Sequence, residues 1–219
     1  MHIGLIGGIG PAATDLYYRG LIQRAEESAK DLDLTIAHAS SPTLLRHLAA
    51  EEHDAQSAIY LRLTERLARA GAECVAVTSI SGHFCIDSFA PRSPLPVLDM
   101  MGALRTSLAS AQLTTVGLMG TKTVMETSMY GKLGDVEVLV PPNLDAVHDA
   151  YVELARTARP TEAIRRVLFA AGRALMDGGQ AQAVLLGGTD MNIAFDGQDC
   201  GFPLVDCAGI HVEAIARNI

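Results

Sequence analysis

Two stretches of the chain, Gly4-Leu5-Ile6-Gly7 and Gly117-Leu118-Met119-Gly120, decide its fold. Each has the pattern of a buried β-strand that runs into a glycine loop and then into a helix. A tyrosine follows each stretch at the same interval, Tyr17 in the first copy and Tyr130 in the second. The two copies lie about half the chain apart, which indicates an internal repeat.

A second pair of similar segments, residues 71–77 and 179–185, follows in the same order. Two ordered matches favour a duplicated α/β half over chance similarity. The repeat therefore predicts two similar halves, residues 1–98 together with 207–219 and residues 99–206.

Short apolar strands alternate with longer amphipathic segments along both halves. The predicted strands are residues 2–6, 34–38, 74–78, 95–98, 114–119, 136–140, 183–187 and 203–205. The predicted helices are residues 11–29, 54–70, 144–155, 161–176 and 208–218. Nearly continuous apolar strands that alternate with helices are typical of parallel sheets covered on both faces. We therefore expect an α/β protein with two flavodoxin-like parallel-sheet halves related by pseudo-symmetry. Because ligands bind beyond the carboxyl ends of parallel strands, we also expect a ligand cleft between the halves.

Composition excludes several classes of function. The net charge is −8 and there is no Lys/Arg-rich run, so we expect no nucleic-acid partner. No stretch of about 20 apolar residues is present, so we expect no membrane span. The cysteines, Cys74, Cys85, Cys200 and Cys207, lack C-x-x-C spacing, so we expect neither a metal site nor a redox motif. Reduced thiols fit a cytoplasmic protein.

The glycine loop that follows the first strand, residues 7–11, is the first candidate for ligand binding. Glycines such as Gly8 allow close backbone approach, and a helix N-terminus favours an anion. The loop could be mistaken for a dinucleotide fingerprint. Pro11 removes a donor and no acidic residue ends the second strand, so we set a nucleotide cofactor aside.

Hydroxyl side chains follow the third predicted strand of the first half, in Thr78-Ser79-Ile80-Ser81-Gly82-His83. Ser79 and Ser81 could simply cap the helix that follows. The functional alternative is a cradle of hydroxyls and amides for a carboxylate, with His83 as an acid or base.

Comparable polar loops follow the strands of the second half. Thr121 and Thr123 begin one helix, and Thr189 and Asp190 follow another strand. Asp190 either caps a turn or provides a site carboxylate. His211, in the first turn of the last predicted helix, is a further candidate acid or base.

These loops, taken in order, resemble the Asp/Glu racemase family, whose racemases need no cofactor. The resemblance covers nearly the whole chain and rests on an ordered set of motifs. The motifs are Gly4–Gly8 with Tyr17-Tyr18, Gly71–Glu73 before Thr78, Val116–Thr121, Met125-Glu126 with Tyr130, Leu185–Asp190, and Pro203–Asp206 with His211. The resemblance implies two α/β halves with the substrate between them, and it suggests a homodimer.

The resemblance also implies two cysteines that this chain lacks. Family racemases place one cysteine after the third strand of each half, and the two sulfurs exchange the Cα proton. The first family motif typically reads Cys-Thr-Asn-Thr, and here it is Thr78-Ser79-Ile80-Ser81. The second typically reads Gly-Cys-Thr-Glu, and here it is Gly187-Gly188-Thr189-Asp190. On this alignment Thr78 and Gly188 occupy the cysteine positions.

A threonine hydroxyl does not ionise near neutral pH and glycine has no side chain, so the two-thiol mechanism is lost. Among the remaining cysteines, Cys207 is the best placed to substitute, because it directly follows the last strand. Arg46 could clamp a ligand carboxylate, although an ordinary surface arginine explains it as well.

Three functions therefore remain open. The first is a racemase or isomerase of a small amino acid or dicarboxylate that uses His83, Asp190 and His211, with Thr78 as a donor. The second is a decarboxylase or isomerase of the wider superfamily. The third is a protein that binds a carboxylate or amino acid without turnover. Engineered substitutions at Thr78 and Gly188 would also explain the missing cysteines.

Overall fold

The computed structural model describes residues 1–8 and 10–219, apart from the burial of Pro11 and Gly178. Ile9, within the glycine loop of the first half, lies outside the described residues. The chain forms two compact units: unit 1 comprises Met1–Met100 and His211–Ile219, and unit 2 comprises Met101–Ile210. That each half is an independent domain stays a prediction.

Unit 1 is built on a parallel sheet of three strands in the order β2-β1-β3. The strands are β1 (His2–Gly7), β2 (Asp33–His38) and β3 (Cys74–Val77). The helices are α1 (Pro11–Glu27), α2 (Ser41–Ala49), α3 (His53–Arg69) and α4 (Ile86–Phe89), with 3-10 turns at Ser81–Cys85 and Ala90–Arg92.

Unit 2 is built on a parallel sheet of four strands in the order β5-β4-β6-β7. The strands are β4 (Thr115–Gly120), β5 (Glu137–Leu139), β6 (Val184–Gly187) and β7 (Leu204–Asp206). Its helices are α5 (Met100–Ser110), α6 (Lys122–Glu126), α7 (Leu144–Thr157) and α8 (Glu162–Met176), with 3-10 turns at Met129–Gly131, Asp177–Gly179 and Met191–Ala194. The last helix, α9 (Cys207–Ala216), begins in unit 2 and belongs to unit 1 from His211 onward. The two parallel sheets confirm the predicted α/β fold.

The glycines of the internal repeat set the distance between helix and sheet in each unit. A Cβ at Gly4 of β1 would come 3.0 Å from Leu67 of α3, and a Cβ at Gly117 of β4 would come 2.9 Å from Leu175 of α8. Each of these leucines is fully or almost fully buried. The glycines thus permit a helix to pack closely on the central strand, where apolar burial stabilises each core.

Helix boundaries follow ordinary capping chemistry. The side chain of Asn143 accepts from the backbone N–H of Ala146 at 3.2 Å to begin α7, and Thr161 accepts from Ile164 at 3.3 Å to begin α8. Across the described residues, each helix is too short or too polar to cross a membrane.

The predicted strand at residues 95–98 is wrong. The segment makes one isolated parallel bridge, between Val97 and Val75. In this bridge the N–H of Val75 donates to the carbonyl of Pro96, and the N–H of Leu98 donates to the carbonyl of Val75. Pro94 and Pro96 have no N–H to donate, so a continuous ladder cannot form. The predictions also omitted α2 and α5.

Candidate active site

One donor of the glycine loop, the backbone N–H of Gly8, is bonded within unit 1. Gly8 has a φ of 91°, and a Cβ there would lie 2.2 Å from the imidazole of His38. Its backbone N–H donates to the hydroxyl of Thr14 at 2.8 Å. The amide predicted to hold an anion is therefore already bonded, and a glycine is required at this position.

The threonine and serine that follow β3 are buried and bonded within unit 1. Thr78 is fully buried; its Oγ1 donates to the carbonyl of Ile6 at 3.3 Å and lies 3.4 Å from Oγ1 of Thr14. Oγ of Ser79 accepts from the backbone N–H of Gly82 at 3.2 Å. Ser79 thus satisfies one backbone N–H at the start of the 3-10 turn without being its N-cap residue, and Ser81 is half-buried beside it.

Two buried histidines lie together in unit 1, with ring centroids 6.1 Å apart. Nδ1 of His83 donates to the carbonyl of Ser79 at 2.6 Å. A carbonyl can only accept, so the proton of neutral His83 lies on Nδ1. This bond holds the ring of His83 against the loop that contains Thr78 and Ser79.

His211 lies in the second turn of α9, not in the first as predicted, because the helix begins at Cys207. Its Nε2 is 2.8 Å from the carbonyl of Leu98, and its Nδ1 is 2.8 Å from the hydroxyl of Tyr17. Burial, and secondly the nearby His83, lower the pKa of His211 to about 3. The ring is therefore neutral, donates through Nε2 and accepts through Nδ1.

In unit 2 the loop after β4 begins α6. Thr121 is its N-cap residue and accepts from the N–H of Val124 at 3.3 Å, while Thr123 is half-buried in the first turn. The N–H of Lys122 donates to Nδ1 of His148 at 3.1 Å. His148, on α7, did not appear among the sequence candidates.

The space beside Gly188 is filled by the ring of Tyr151. A Cβ built on Gly188 would lie 2.3 Å from Cζ and 2.7 Å from the hydroxyl oxygen of Tyr151. The position expected to be vacant is thus occupied by a phenol from α7. Sequence analysis missed Tyr151 because a tyrosine on an amphipathic helix ordinarily belongs to the core.

Asp190 in unit 2 is a buried acidic residue with a raised pKa. It is 3% exposed, and its Oδ1 has no hydrogen-bond partner among the described residues. Burial raises the pKa of Asp190 to about 6. Such a carboxyl group can bind and release a proton near neutral pH. Thr189, which precedes it, is also buried.

The cysteines offer no activated thiol among the residues described. All four are free and buried. Burial raises the pKa of Cys85 to about 12, and burial raises the pKa of Cys207 and of Cys74 as well. A reactive cysteine needs the opposite shift, so Cys207 has the surroundings of a core residue.

Arg46, considered as a clamp for a ligand carboxylate, is an exposed residue of α2 and lies in the last turn of that helix. A cation near a helix C-terminus interacts favourably with the helix dipole, which explains Arg46 without a ligand.

The sheet registers identify equivalent positions in the two units. Gly4 of β1 pairs with Val75 of β3, and Gly117 of β4 pairs with Val184 of β6. The fourth residue after each partner is Ser79 in unit 1 and Gly188 in unit 2. By register, Ser79 rather than Thr78 is the counterpart of Gly188.

Comparisons with known proteins agree on the architecture. Residues 6–215 match the family model described as Asp/Glu/Hydantoin racemase. A structure described as a putative Asp/Glu racemase from Yersinia pestis is 24% identical, with a TM-score of 0.87 over 100% of this chain and 99% of that one. An aspartate racemase homologue from Pyrococcus horikoshii OT3 is 22% identical, with a TM-score of 0.79 over 98% and 97%.

A more distant match is a glutamate racemase from Francisella tularensis in complex with D-glutamate. It is 15% identical, with a TM-score of 0.67 over 99% of this chain and 80% of that one. At these identities the structural matches establish the fold.

Proposed function

Because the chain belongs to the Asp/Glu/Hydantoin racemase family, we propose that it is a cofactor-independent racemase or isomerase of a small amino acid or dicarboxylate. Similar structures include an aspartate racemase from Picrophilus torridus and glutamate racemases, which supports an acidic amino acid as substrate. The reaction differs from the family pattern in using groups other than cysteine.

One observation carries the proposal: Asp190, just beyond the end of β6, is a buried carboxyl group with one oxygen that no described residue bonds to. Its raised pKa, about 6, makes it a stronger base than an ordinary carboxylate when it is ionised at neutral pH. It directly follows Thr189, in the loop where the family resemblance places the second cysteine. Asp190 therefore takes over the acid–base role that a thiol would have in this loop.

The other predicted site residues have supporting roles in the proposal. His83 and Thr78 hold a proton and a hydroxyl close to the end of β3, and Ser79, Ser81, Thr121, Thr123 and Thr189 supply further hydroxyls beyond the strand ends. His211 positions Tyr17, since both of its ring nitrogens are bonded within unit 1. We further propose a homodimer in the cytoplasm, which light scattering and fractionation would test.

The direct experiment is exchange of the Cα proton for deuterium in heavy water. A panel of amino acids and dicarboxylates is incubated with the wild-type protein and with Asp190→Asn. We expect exchange on at least one acidic substrate, and a loss of about 10²-fold or more in the variant. Failure of the wild-type protein to exchange or racemise any member of the panel would refute the proposal.

A non-catalytic binding protein is the second candidate. Its support is the loss of both ionisable thiols, since Thr78 and Gly188 stand where the family resemblance places the two cysteines. Stabilisation of the protein by carboxylates in a thermal shift assay, with no turnover of the same compounds, would establish this candidate in place of the racemase.

A further inference from the structure

Tyr151 of α7 fills the space beside Gly188. Cζ, Cε2 and the hydroxyl oxygen of Tyr151 lie 2.3, 2.5 and 2.7 Å from the position of a Cβ at Gly188. Real Cβ atoms do not approach other heavy atoms so closely, so any larger residue at 188 would displace the phenol. Gly188 and Tyr151 therefore form a matched pair that sets a hydroxyl group into the loop after β6.

Polar groups of the loop after β6 lie near the phenol oxygen of Tyr151 and act on its pKa. The phenol oxygen interacts with the side chain of Thr189 and with the backbone of Thr189 and Asp190, and each interaction lowers the pKa of Tyr151. Donors to the phenol oxygen stabilise the phenolate that remains after proton transfer.

Burial acts in the opposite direction and has the larger effect. Burial, and secondly the charge of Asp190, raise the pKa of Tyr151 above its ordinary value. The group consequently retains its proton at neutral pH. A phenol that is protonated at rest can deliver a proton but is a poor choice to abstract one.

Asp190 provides an independent indication of a ligand in the same loop. Its carboxyl group is almost completely buried, and its Oδ1 has no partner among the residues that the structure describes. An unpaired buried acceptor costs free energy unless a bound group supplies a donor. The ammonium group or the Cα–H of an amino acid would bring hydrogen atoms to this oxygen.

We propose that Tyr151 is the proton donor of unit 2 and works with Asp190 as a two-residue acid–base pair. This inference rests on the proposed function. The carboxylate of Asp190 takes the Cα proton, and the electron pair of the C–H bond is delocalised into the substrate carboxylate. The O–H bond of Tyr151 then breaks as a new C–H bond forms, which leaves a phenolate. The protonated Asp190 returns its proton to the phenolate, and both groups regain their starting states.

Because the two residues have different roles, their loss should affect deuterium exchange and racemisation differently. Asp190 alone can remove a Cα proton, exchange it with solvent and replace it on the same side. Inversion needs a second group, which is Tyr151. Removing the phenol hydroxyl should therefore separate deuterium exchange from racemisation.

The test uses Tyr151→Phe in the full-length protein, because phenylalanine keeps the ring that fills the space beside Gly188. We expect racemisation to fall about 10²-fold or more while deuterium exchange continues on one enantiomer and ligand-induced thermal stabilisation is unchanged. Tyr18→Phe is the matched control. Tyr18 is 45% exposed, so this substitution removes the same hydroxyl group from a tyrosine on the surface.

The outcomes separate this inference from the proposed function. Racemisation by Tyr151→Phe at the wild-type rate would overturn the role of Tyr151 and leave the racemase proposal intact. Loss of exchange on both enantiomers, or loss of ligand binding, would show that Tyr151 is structural. Absence of both exchange and racemisation in the wild-type protein would overturn the proposed function and this inference together.

Discussion

The loop after β3 in unit 1 and the loop after β6 in unit 2 occupy equivalent places in two similar sheets, yet they differ in how their polar groups are satisfied. In unit 1, the hydroxyls of Thr78 and Ser79 bond to neighbouring backbone groups. In unit 2, Gly188 has no side chain, Tyr151 fills its space, and Oδ1 of Asp190 is unpaired within the described residues. In the proposed function, the unit 1 loop is held by its own hydrogen bonds and the unit 2 loop carries the proton-transfer groups.

The largest predicted effect is on the free energy of unfolding, which should depend on pH through the titration of Asp190. The pKa of Asp190 is raised to about 6 in the folded protein by burial, so the folded state binds its proton more tightly than the unfolded state. The stabilisation is fully present below the unfolded pKa of about 4 and is lost as the pH rises through about 6. A pKa shift of this size corresponds to a change of about 3 kcal/mol in the free energy of unfolding.

Urea unfolding of wild-type protein and Asp190→Asn between pH 4 and pH 7 measures this effect. The difference in the free energy of unfolding between them should grow in favour of the variant as the pH rises across about 4 to 6. A difference that is constant with pH would mean that Asp190 is solvated like an ordinary surface carboxylate.

Gly188→Ala tests the matched pair in unit 2. The new Cβ would overlap the ring of Tyr151, so we expect the free energy of unfolding to fall by about 2 kcal/mol. In a Tyr151→Ala background the same substitution should cost much less, because the overlapping ring is absent. Equal costs in both backgrounds, measured by chemical denaturation, would show that the ring does not occupy this space.

Tyr17→Phe tests the buried hydrogen bonds of unit 1. The change removes the donor to Nδ1 of His211 and leaves a buried nitrogen unsatisfied, which should lower the free energy of unfolding by about 1.5 kcal/mol. The neighbouring Tyr18→Phe, on the exposed side of α1, should have almost no effect. If both variants unfold at the same denaturant concentration as wild type, the bond to His211 contributes nothing to stability.

Ser79→Ala should have the smallest effect. It removes the acceptor for the N–H of Gly82, a local bond of the kind made by capping residues, and should cost about 0.7 kcal/mol. The comparison predicts that this variant keeps most of its Cα exchange activity. A loss of activity as large as that of Asp190→Asn would assign proton transfer to unit 1 as well and break the distinction between the two loops.

The fold could be predicted because its signals are local. Gly4 and Gly117 begin closely similar short motifs in which a glycine faces a helix, and parallel strands are recognisable as short apolar runs. The segment at 95–98 failed because apolar residues suggested a strand where Pro94 and Pro96 prevent a continuous ladder. The start of α2 carried a readable signal, since Pro42 follows Ser40 and Ser41 as in many helix N-termini.

The proposed site could be predicted from sequence only where its residues lie in the segments that follow strands. Thr189 and Asp190 come soon after β6, and His83 lies in the 3-10 turn after β3, so their neighbourhood was readable from sequence. Tyr151 and His148 come from α7, and nothing in the order of residues reveals that this helix places a phenol beside Gly188. The same long-range contact explains why the absence of a side chain at 188 looked like an empty position.

The measurement that tests the central claim most directly is Cα proton–deuterium exchange by a cysteine-free protein. All four cysteines, Cys74, Cys85, Cys200 and Cys207, are replaced by alanine, and folding is verified by circular dichroism. We predict that the variant exchanges the Cα proton of the same substrate as the wild-type protein at a comparable rate, because the proton-transfer groups are Asp190 and Tyr151. A folded variant that has lost the exchange activity of the wild-type protein would contradict this account and would indicate that a cysteine thiol transfers the proton.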